Sequence, residues 1–152
     1  GIAVVGRLWC SLYIAGFKTV QLITVGPYSM SRNPLYFFSL LGAVGVGLVT
    51  GTLLAPFIIA FIFAVIYIPV IREEESRLRA THGATFDDYH KRVPGFLPSI
   101  RLLQEPATYE VNTRSFRRRL CDSVWFVWAL AILEIIRILH GSGVLPVLLR
   151  IP

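Results

Sequence analysis

The longest apolar stretch of the chain covers residues 35–71 and contains no Asp, Glu, Lys, Arg, His, Asn or Gln. A transmembrane helix needs about 20 apolar residues, so a stretch of this length predicts two crossings. Gly51, with Pro56 close behind, provides the turn, because glycine and proline interrupt helices and proline suits a first helical turn. The pattern therefore predicts a helical hairpin with arms at residues 35–50 and 53–71.

Small residues recur at four-residue spacing in the first arm, at Ala43, Gly47 and Gly51. In lipid, small residues at this spacing let two helices approach closely. We therefore predict that they serve helix packing rather than ligand binding.

Two further apolar segments flank the hairpin. The first sixteen residues are apolar in most positions apart from Arg7, and residues 121–139 are interrupted by Glu134 and Arg137. The later segment is expected to cross the membrane or to lie in its interface. The composition agrees, because 55% hydrophobic residues and a mean hydropathy of +0.64 exceed what a soluble domain of this size carries. The predicted fold class is an all-α integral membrane protein, a helical hairpin with flanking membrane or interfacial helices.

Basic residues are distributed unevenly around the hairpin. Lys18 and Arg32 precede it, and ten of the fifteen Lys and Arg residues fall between Arg72 and Arg119. A hairpin returns the chain to its starting side, so both groups share one face, which the positive-inside rule makes cytoplasmic. We expect a bacterial inner-membrane or endoplasmic reticulum protein with cytoplasmic polar loops, and residues 117–119 against anionic headgroups.

Neither nucleic acid nor a metal ion is indicated as a partner. The basic residues after the hairpin are mixed with seven acidic ones, and no nucleic-acid recognition motif accompanies them. Cys10 and Cys121 form no CxxC motif, and the three histidines lack ligand partners at metal spacing.

Polar groups gather at the two open ends of the hairpin, and therefore at one face of the membrane. They comprise a cation, an amide and two phenols at one end and three carboxylates at the other: Tyr28, Arg32, Asn33 and Tyr36, then Glu73, Glu74 and Glu75. Around a helix N-terminus, whose free N–H groups favour anions, this set suits an amphoteric ligand. Alternatively, Arg32 snorkels to headgroups, Asn33 only caps the helix that begins at Pro34, and the glutamates form a solvated face.

Beyond residue 71 the second helix is expected to continue into water. Two ion pairs at i,i+4 spacing are predicted along it: Glu73 with Arg77, and Glu75 with Arg79. The chain then reaches Gly83, and the prolines and glycine of residues 93–98 exclude a long helix there. We expect the aromatic residues between these points, Phe86 and Tyr89, to fold back on the membrane surface.

Two sequence blocks resemble a known superfamily. Residues 26–36 read GPYSMSRNPLY, which resembles the GPYxxxRHPxY signature of the isoprenylcysteine carboxyl methyltransferase and phospholipid N-methyltransferase superfamily. Residues 74–98 resemble its second signature, EExxL followed by FGxxYxxYxxxVPxFxP. Both blocks stand in the right order around the apolar hairpin, and the resemblance covers about residues 6–98.

The resemblance implies a membrane-embedded methyltransferase that uses S-adenosylmethionine. It implies a cytoplasmic cofactor pocket with these cofactor-binding residues: Tyr28, Arg32, Asn33, Pro34, Tyr36, Glu74 and Glu75. A cation suits the carboxylate of the cofactor, and carboxylates suit its ammonium group and ribose hydroxyls. The implied methyltransferase domain is residues 1–113, with residues 114–152 as a basic segment and a membrane or interfacial helix. Gly1 is not an initiator methionine, which leaves room for further helices upstream.

The chain departs from the superfamily pattern at several positions. Asn33 replaces the signature histidine, Phe38 stands where a glycine is common, and His82 and Phe86 replace a Phe and a Tyr. Asparagine does not titrate near neutral pH, so a proton shuttle at position 33 is excluded. Phe38 is expected to narrow the space that a glycine leaves for the substrate. No catalytic residue is assigned.

The function implied by the resemblance is methyl transfer from S-adenosylmethionine to a lipid or other amphipathic acceptor. One alternative is an NADPH-dependent membrane reductase of the sterol-reductase type, whose carboxy-terminal region has a similar helical layout. Another is a non-catalytic membrane adaptor that retains the fold. The acceptor atom and the oligomeric state stay open.

Overall fold

The computed structural model describes residues 1–15 and 21–109, together with scattered positions between residues 111 and 136. Residues 1–15 and 21–109 form five α-helices and one 3-10 turn: α1 Ile2–Ile14, α2 Pro27–Met30, α3 Pro34–Val49, α4 Leu54–His82, α5 Ala84–Arg92, and the turn Ile100–Leu102. The predicted all-helical class is confirmed for these residues. Lys18, Glu134 and Arg137 lie outside the described residues, as does most of the predicted segment at 121–139.

The predicted hairpin is formed by α3 and α4, which pack against each other. The turn between them contains Gly51 at a φ of +79°, a conformation that glycine adopts without strain. A Cβ atom at Gly47 would lie 3.1 Å from the Cα atom of Pro56, so the two helices approach closely at this point. The prediction that small residues serve helix packing is confirmed at Gly47, whereas Gly51 and the neighbouring Gly45 face open space.

Among the described helices, α4 alone is both long and apolar enough to cross a bilayer. Helices α1 and α3 are apolar but shorter. The 16 residues of α3 span about 24 Å, which is less than the roughly 30 Å thickness of a hydrocarbon core. The prediction of two full crossings is therefore supported for one arm of the hairpin.

Helix α1 packs against α3. The ring of Phe38 lies directly over Gly6, where an added Cβ atom would overlap the ring carbons. On the next residue, the guanidinium of Arg7 donates a hydrogen bond to the Ser39 hydroxyl. Phe38 therefore fills the space beside a glycine of α1, and its expected effect on a substrate channel stays a prediction.

Helix α5 folds back onto α4 and carries two of the most buried aromatic side chains. Phe86 and Tyr89 form a core cluster with Val93, against which Leu22 and Leu78 pack. Both aromatic residues are nearly inaccessible to solvent. Their side chains face this core, so the expected location on the membrane surface is wrong, whereas the expected fold-back occurs at Gly83, where φ is +50°.

The segment after the 3-10 turn returns to α1. The carboxylate of Glu105 accepts hydrogen bonds from Trp9 Nε1 at 3.2 Å and from the Tyr13 hydroxyl at 3.3 Å. The Tyr109 hydroxyl donates to the Tyr13 carbonyl, and the two tyrosine rings lie 4.5 Å apart. These contacts attach residues 105–109 to the first helix.

Candidate functional site

A tight turn positions the first polar cluster. Gly26 precedes α2 with a φ of +59°, and the Tyr13 ring occupies the space where a Cβ atom would stand. The backbone N–H of Gly26 donates to the Gln104 carbonyl at 2.7 Å. The turn places the Tyr28 carbonyl where it accepts a 2.7 Å hydrogen bond from the Tyr89 hydroxyl. Glycine is therefore required here both by its backbone conformation and by the ring above it.

We predict that Gly26→Ala lowers the thermal stability of the protein by at least about 4 °C. A left-handed conformation costs an alanine roughly 1–2 kcal/mol, and the overlap with Tyr13 adds to this cost. The matched control is Gly45→Ala, which places a methyl group in open space within a helix and should leave stability equal or slightly higher. Thermal unfolding of both variants in detergent measures the difference. An equal melting temperature for Gly26→Ala would refute the role of this turn.

Arg32 lies at the centre of the site and is largely buried. Its Nε atom donates to Glu75 Oε1 at 2.9 Å, and its side chain is 12% exposed. Its Nη1 atom donates to the His90 and Val93 carbonyls at 2.9 Å each, and its backbone N–H donates to the Pro94 carbonyl. The alternative that Arg32 snorkels to headgroups is wrong. The described contacts engage the guanidinium within the protein.

Asn33 stands at the N-cap position of α3, with Pro34 as the first helical residue. Its side chain makes no capping hydrogen bond. Its Nδ2 atom instead donates to Glu75 Oε1 at 2.9 Å and to the Gly95 carbonyl at 3.0 Å. The prediction of the helix start is confirmed, whereas the idea that Asn33 only caps is wrong. The side chain of Asn33 connects α3 to α4 and to the loop after α5.

The three consecutive glutamates have three different surroundings. Glu73 forms the predicted exposed ion pair with Arg77. Glu74 Oε2 accepts a 3.0 Å hydrogen bond from the Tyr36 hydroxyl. Glu75 accepts hydrogen bonds from Arg32 and Asn33, and its side chain is 20% exposed.

The predicted pair of Glu75 with Arg79 is wrong. Arg79 Nε instead contacts Asp87 Oδ1 at 2.8 Å, and the Arg79 guanidinium lies 5.6 Å from the centre of the Phe86 ring. Glu75 faces the inside of the protein, where Arg32 is already held by two backbone carbonyls. Glu75 therefore pairs with the buried Arg32 and not with Arg79, which lies one turn further along α4.

A cavity of about 60 Å³, partly open to the surface, lies among these polar groups. Six of the seven predicted cofactor-binding residues line it: Tyr28, Arg32, Asn33, Tyr36, Glu74 and Glu75. Pro34, the seventh, is fully buried at the start of α3. Gln21, Leu22 and Ile23 complete the outer wall, and no sequence signal marks them. Tyr89, a residue of the second motif block beyond the seven predicted ones, also lines the cavity.

A second cavity of about 360 Å³ lies along the apolar part of α4. Its walls include Ala60, Ala64, Phe63, Tyr67 and Phe96. The apolar pattern of residues 53–71 does not predict this cavity. The only sequence signal is the pair of alanines four residues apart, which leaves space on one face of the helix.

The two cavities share a wall formed by Arg32, Asn33 and Glu75. Beside this wall, the Tyr36 ring of the smaller cavity lies 5.4 Å from the Tyr67 ring of the larger one. The smaller cavity, which has the larger share of polar groups in its wall, therefore adjoins a largely apolar cavity, and the largely buried side chains of Arg32, Asn33 and Glu75 separate them.

Burial keeps the hydroxyl of Tyr89, which lies beside this wall, in its protonated form because it raises the pKa. Desolvation raises the pKa of the Tyr89 hydroxyl, while Arg32 lowers it and Glu75 raises it. The net effect is a pKa above the ordinary value, so the phenol stays protonated and donates to the Tyr28 carbonyl.

The polar groups of the smaller cavity suit S-adenosylmethionine in chemistry. Carboxylates and phenol hydroxyls are partners for an ammonium group and for ribose hydroxyls. Its enclosed volume is below the roughly 300–1,000 Å³ of small-molecule pockets, so a nucleoside cofactor would extend beyond it through the open side. In the described part of the chain, no group of three or more His, Cys, Asp or Glu side chains could hold a metal ion.

The helical architecture and the motif residues described above are consistent with a comparison of the chain with known protein families. Residues 7–85 match the model of the phospholipid methyltransferase family, and the chain belongs to this family. The predicted superfamily is thereby confirmed. The match includes the first motif block and the glutamates of α4, and it ends before residues 93–98.

Two curated relatives resemble almost the whole chain. The nickel-cobalt-cadmium resistance protein NccN of Alcaligenes xylosoxydans xylosoxydans is 41% identical over 99% of this chain and 70% of its own length. The cobalt-zinc-cadmium resistance protein CzcN of Cupriavidus metallidurans is 42% identical over 95% of this chain and 66% of its own length. The chain thus spans about two thirds of these relatives. No solved structure matches the chain.

Proposed function

We propose that this protein is a membrane-embedded methyltransferase that transfers a methyl group from S-adenosylmethionine to a lipid or other amphipathic acceptor. The observation that carries the proposal is the wall of Arg32, Asn33 and Glu75 between a cavity with several polar side chains and a largely apolar cavity. Two ligands of different polarity can meet at such a wall. Membership of the phospholipid methyltransferase family supports the same reaction class.

The smaller cavity is proposed to hold the cofactor. Tyr28, Tyr36 and Glu74 would orient its polar groups, and S-adenosylmethionine supplies a methyl group already activated by a positively charged sulfur. The contribution of the chain is then alignment of the acceptor with this methyl group. The guanidinium of Arg32 is occupied by Glu75 and two carbonyls, so we propose that it shapes the wall of the pocket.

The larger cavity is proposed to hold the apolar part of the acceptor. It follows the apolar arm of α4 at the depth of Ala60 and Ala64, and its polar end contains Arg32, Asn33 and Glu75. An acceptor with an apolar chain and a polar head fits this arrangement, with the head at the shared wall.

The names of the relatives concern resistance to nickel, cobalt, zinc and cadmium. We propose that a role of this chain in metal resistance proceeds through methylation of a membrane component. The support is the site itself, in which phenols and carboxylates adjoin an apolar cavity.

The proposal is tested by titrating the purified protein with S-adenosylmethionine and, separately, with NADPH, followed by transfer of a labelled methyl group to membrane extracts. Binding of S-adenosylmethionine with transfer to an extractable lipid supports the proposal. Binding of NADPH alone would support the membrane reductase. Binding of S-adenosylmethionine without transfer to any component would support a non-catalytic adaptor.

We predict that Ala64→Trp lowers methyl transfer roughly ten-fold to a hundred-fold while leaving cofactor affinity unchanged. The indole would fill the larger cavity and displace the acceptor, and small misplacements of a substrate have effects of this size. The matched control is Phe61→Trp, on the exposed face of the same helix, which should retain activity. Calorimetry and the labelled-methyl assay measure the two quantities. Loss of cofactor binding in Ala64→Trp would show that the larger cavity is not a separate acceptor site.

A further inference from the structure

The segment after residues 93–96, which follow α5, exposes three large apolar side chains. Leu97 is 71% exposed, Ile100 is 78% exposed, and Leu103 is also exposed. Between them lies Arg101, which is exposed and has no hydrogen-bond or ion-pair partner within the described part of the chain. We call residues 97–103 the apolar loop.

The backbone holds the apolar loop in a defined shape. The Ser99 N–H donates to the Met30 carbonyl at 2.9 Å, and the Leu102 and Leu103 N–H groups close the 3-10 turn. The Gln104 N–H then donates to the Ser29 hydroxyl at 2.9 Å. The apolar side chains are therefore directed outward by a fixed turn rather than left exposed by a loose loop.

The position of the loop along α4 matches the headgroup layer of a bilayer. The apolar part of α4 ends at Ile71, and Glu75, four residues later, lies about 6 Å further along the helix. Arg32 contacts Glu75 through its side chain and Pro94 through its backbone N–H, so the loop begins at this level. The headgroup region is about 5–8 Å thick on each side of the hydrocarbon core.

Phe96 supplies a second observation on depth. It lines the larger cavity together with Phe63 and Tyr67 of the apolar arm, and its ring lies 5.9 Å from the Phe37 ring. The residue immediately before the apolar loop is thus at the depth where the membrane helix begins. Leu97 and Ile100 follow Phe96 in the chain with exposed side chains.

We propose that the apolar loop is an interfacial membrane anchor, with Leu97, Ile100 and Leu103 inserted among the lipids and Arg101 at anionic headgroups. Apolar side chains gain free energy on entering the interface, and a basic side chain there gains further from anionic lipid. The bilayer surface would then hold the loop that supplies the Phe96 and Gly95 carbonyls to Ser31 and Asn33. The proposal does not depend on the reaction that the site performs.

The test places an environment-sensitive fluorophore on a single cysteine in a background with Cys10 and Cys121 replaced by Ala. Ile100→Cys reports on the loop, Ala80→Cys on the water-exposed end of α4, and Phe61→Cys on the apolar arm. Each variant is reconstituted in phosphatidylcholine vesicles with and without phosphatidylglycerol. Thermal unfolding confirms that each variant remains folded.

We expect headgroup-labelled quenching lipids to reach the fluorophore at Ile100 and aqueous iodide to reach it several-fold less than at Ala80. Spin-labelled phosphatidylglycerol should quench the fluorophore more strongly than spin-labelled phosphatidylcholine, because Arg101 attracts the anionic headgroup. In Arg101→Gln the ratio of the two quenching efficiencies should fall by up to about five-fold. Iodide access at Ile100 equal to that at Ala80 would overturn the proposal. Protection from both iodide and lipid quenchers would also overturn it, because a protein contact would then cover the loop.

Discussion

Glu75→Gln is expected to lower the free energy of unfolding by about 3 kcal/mol or more. The substitution leaves the guanidinium of Arg32 largely buried without a counter-charge, and removing one partner of a buried ion pair typically costs 3–5 kcal/mol. The hydrogen bond from Asn33 can persist to a glutamine oxygen, so the loss reports mainly on the charge. Denaturant unfolding of the purified protein measures it.

The matched control for this prediction is Glu73→Gln, two positions earlier on the same helix. Its partner Arg77 is exposed, and exposed i,i+4 pairs contribute only about 0.3–0.5 kcal/mol. A double variant, Arg32→Met with Glu75→Leu, should recover part of the stability because no buried charge remains unpaired. Equal small losses for Glu75→Gln and Glu73→Gln would show that the Arg32–Glu75 pair is effectively solvated.

Glu74→Gln is expected to weaken S-adenosylmethionine binding roughly ten-fold to over a hundred-fold. Glu74 lines the smaller cavity, and a hydrogen bond to a charged group contributes about 1.5–3 kcal/mol. The substitution keeps the size of the side chain and removes its charge. Tyr36→Phe, which removes the hydrogen bond that orients the carboxylate, should produce a smaller loss.

Calorimetric titration in detergent compares these variants with Glu73→Gln, whose affinity should change less than about three-fold. The comparison separates the cofactor site from the general charge of α4, because positions 73 and 74 are adjacent and differ in surroundings. Similar small effects at both positions would place Glu74 on the solvated face of the helix and remove the support for the proposed cofactor site.

The local features of the fold could be predicted from the sequence. The limits of the hairpin follow from the absence of charges over residues 35–71, and the start of α3 follows from Asn33 before Pro34. The motif residues were also expected to lie together, because a hairpin returns to its starting side. The structure brings them together at one end, whereas their cytoplasmic location and the domain limits at residues 1–113 and 114–152 stay predictions.

Contacts between residues far apart in the sequence could not be predicted in the same way. The i,i+4 spacing predicts Arg79 as the partner of Glu75. In the structure Glu75 pairs instead with the buried Arg32, which two backbone carbonyls already hold in place, and the exposed Arg79 pairs with Asp87. The spacing of Phe86 and Tyr89 does not distinguish a membrane surface from a protein core. The reversal at Gly83 decides between them, and it requires the tertiary structure.

The attachment of residues 105–109 to α1 bears on where the folding unit ends. Glu105 and Tyr109 contact Trp9 and Tyr13, and the Tyr13 ring in turn covers Gly26 at the start of the first motif. A truncation after Pro98, the last motif proline, would retain every signature residue. It would remove residues 105–109, which hold α1 over the turn at Gly26. We therefore expect the smallest independently stable fragment to extend at least to Tyr109, beyond the stretch that the family signature marks.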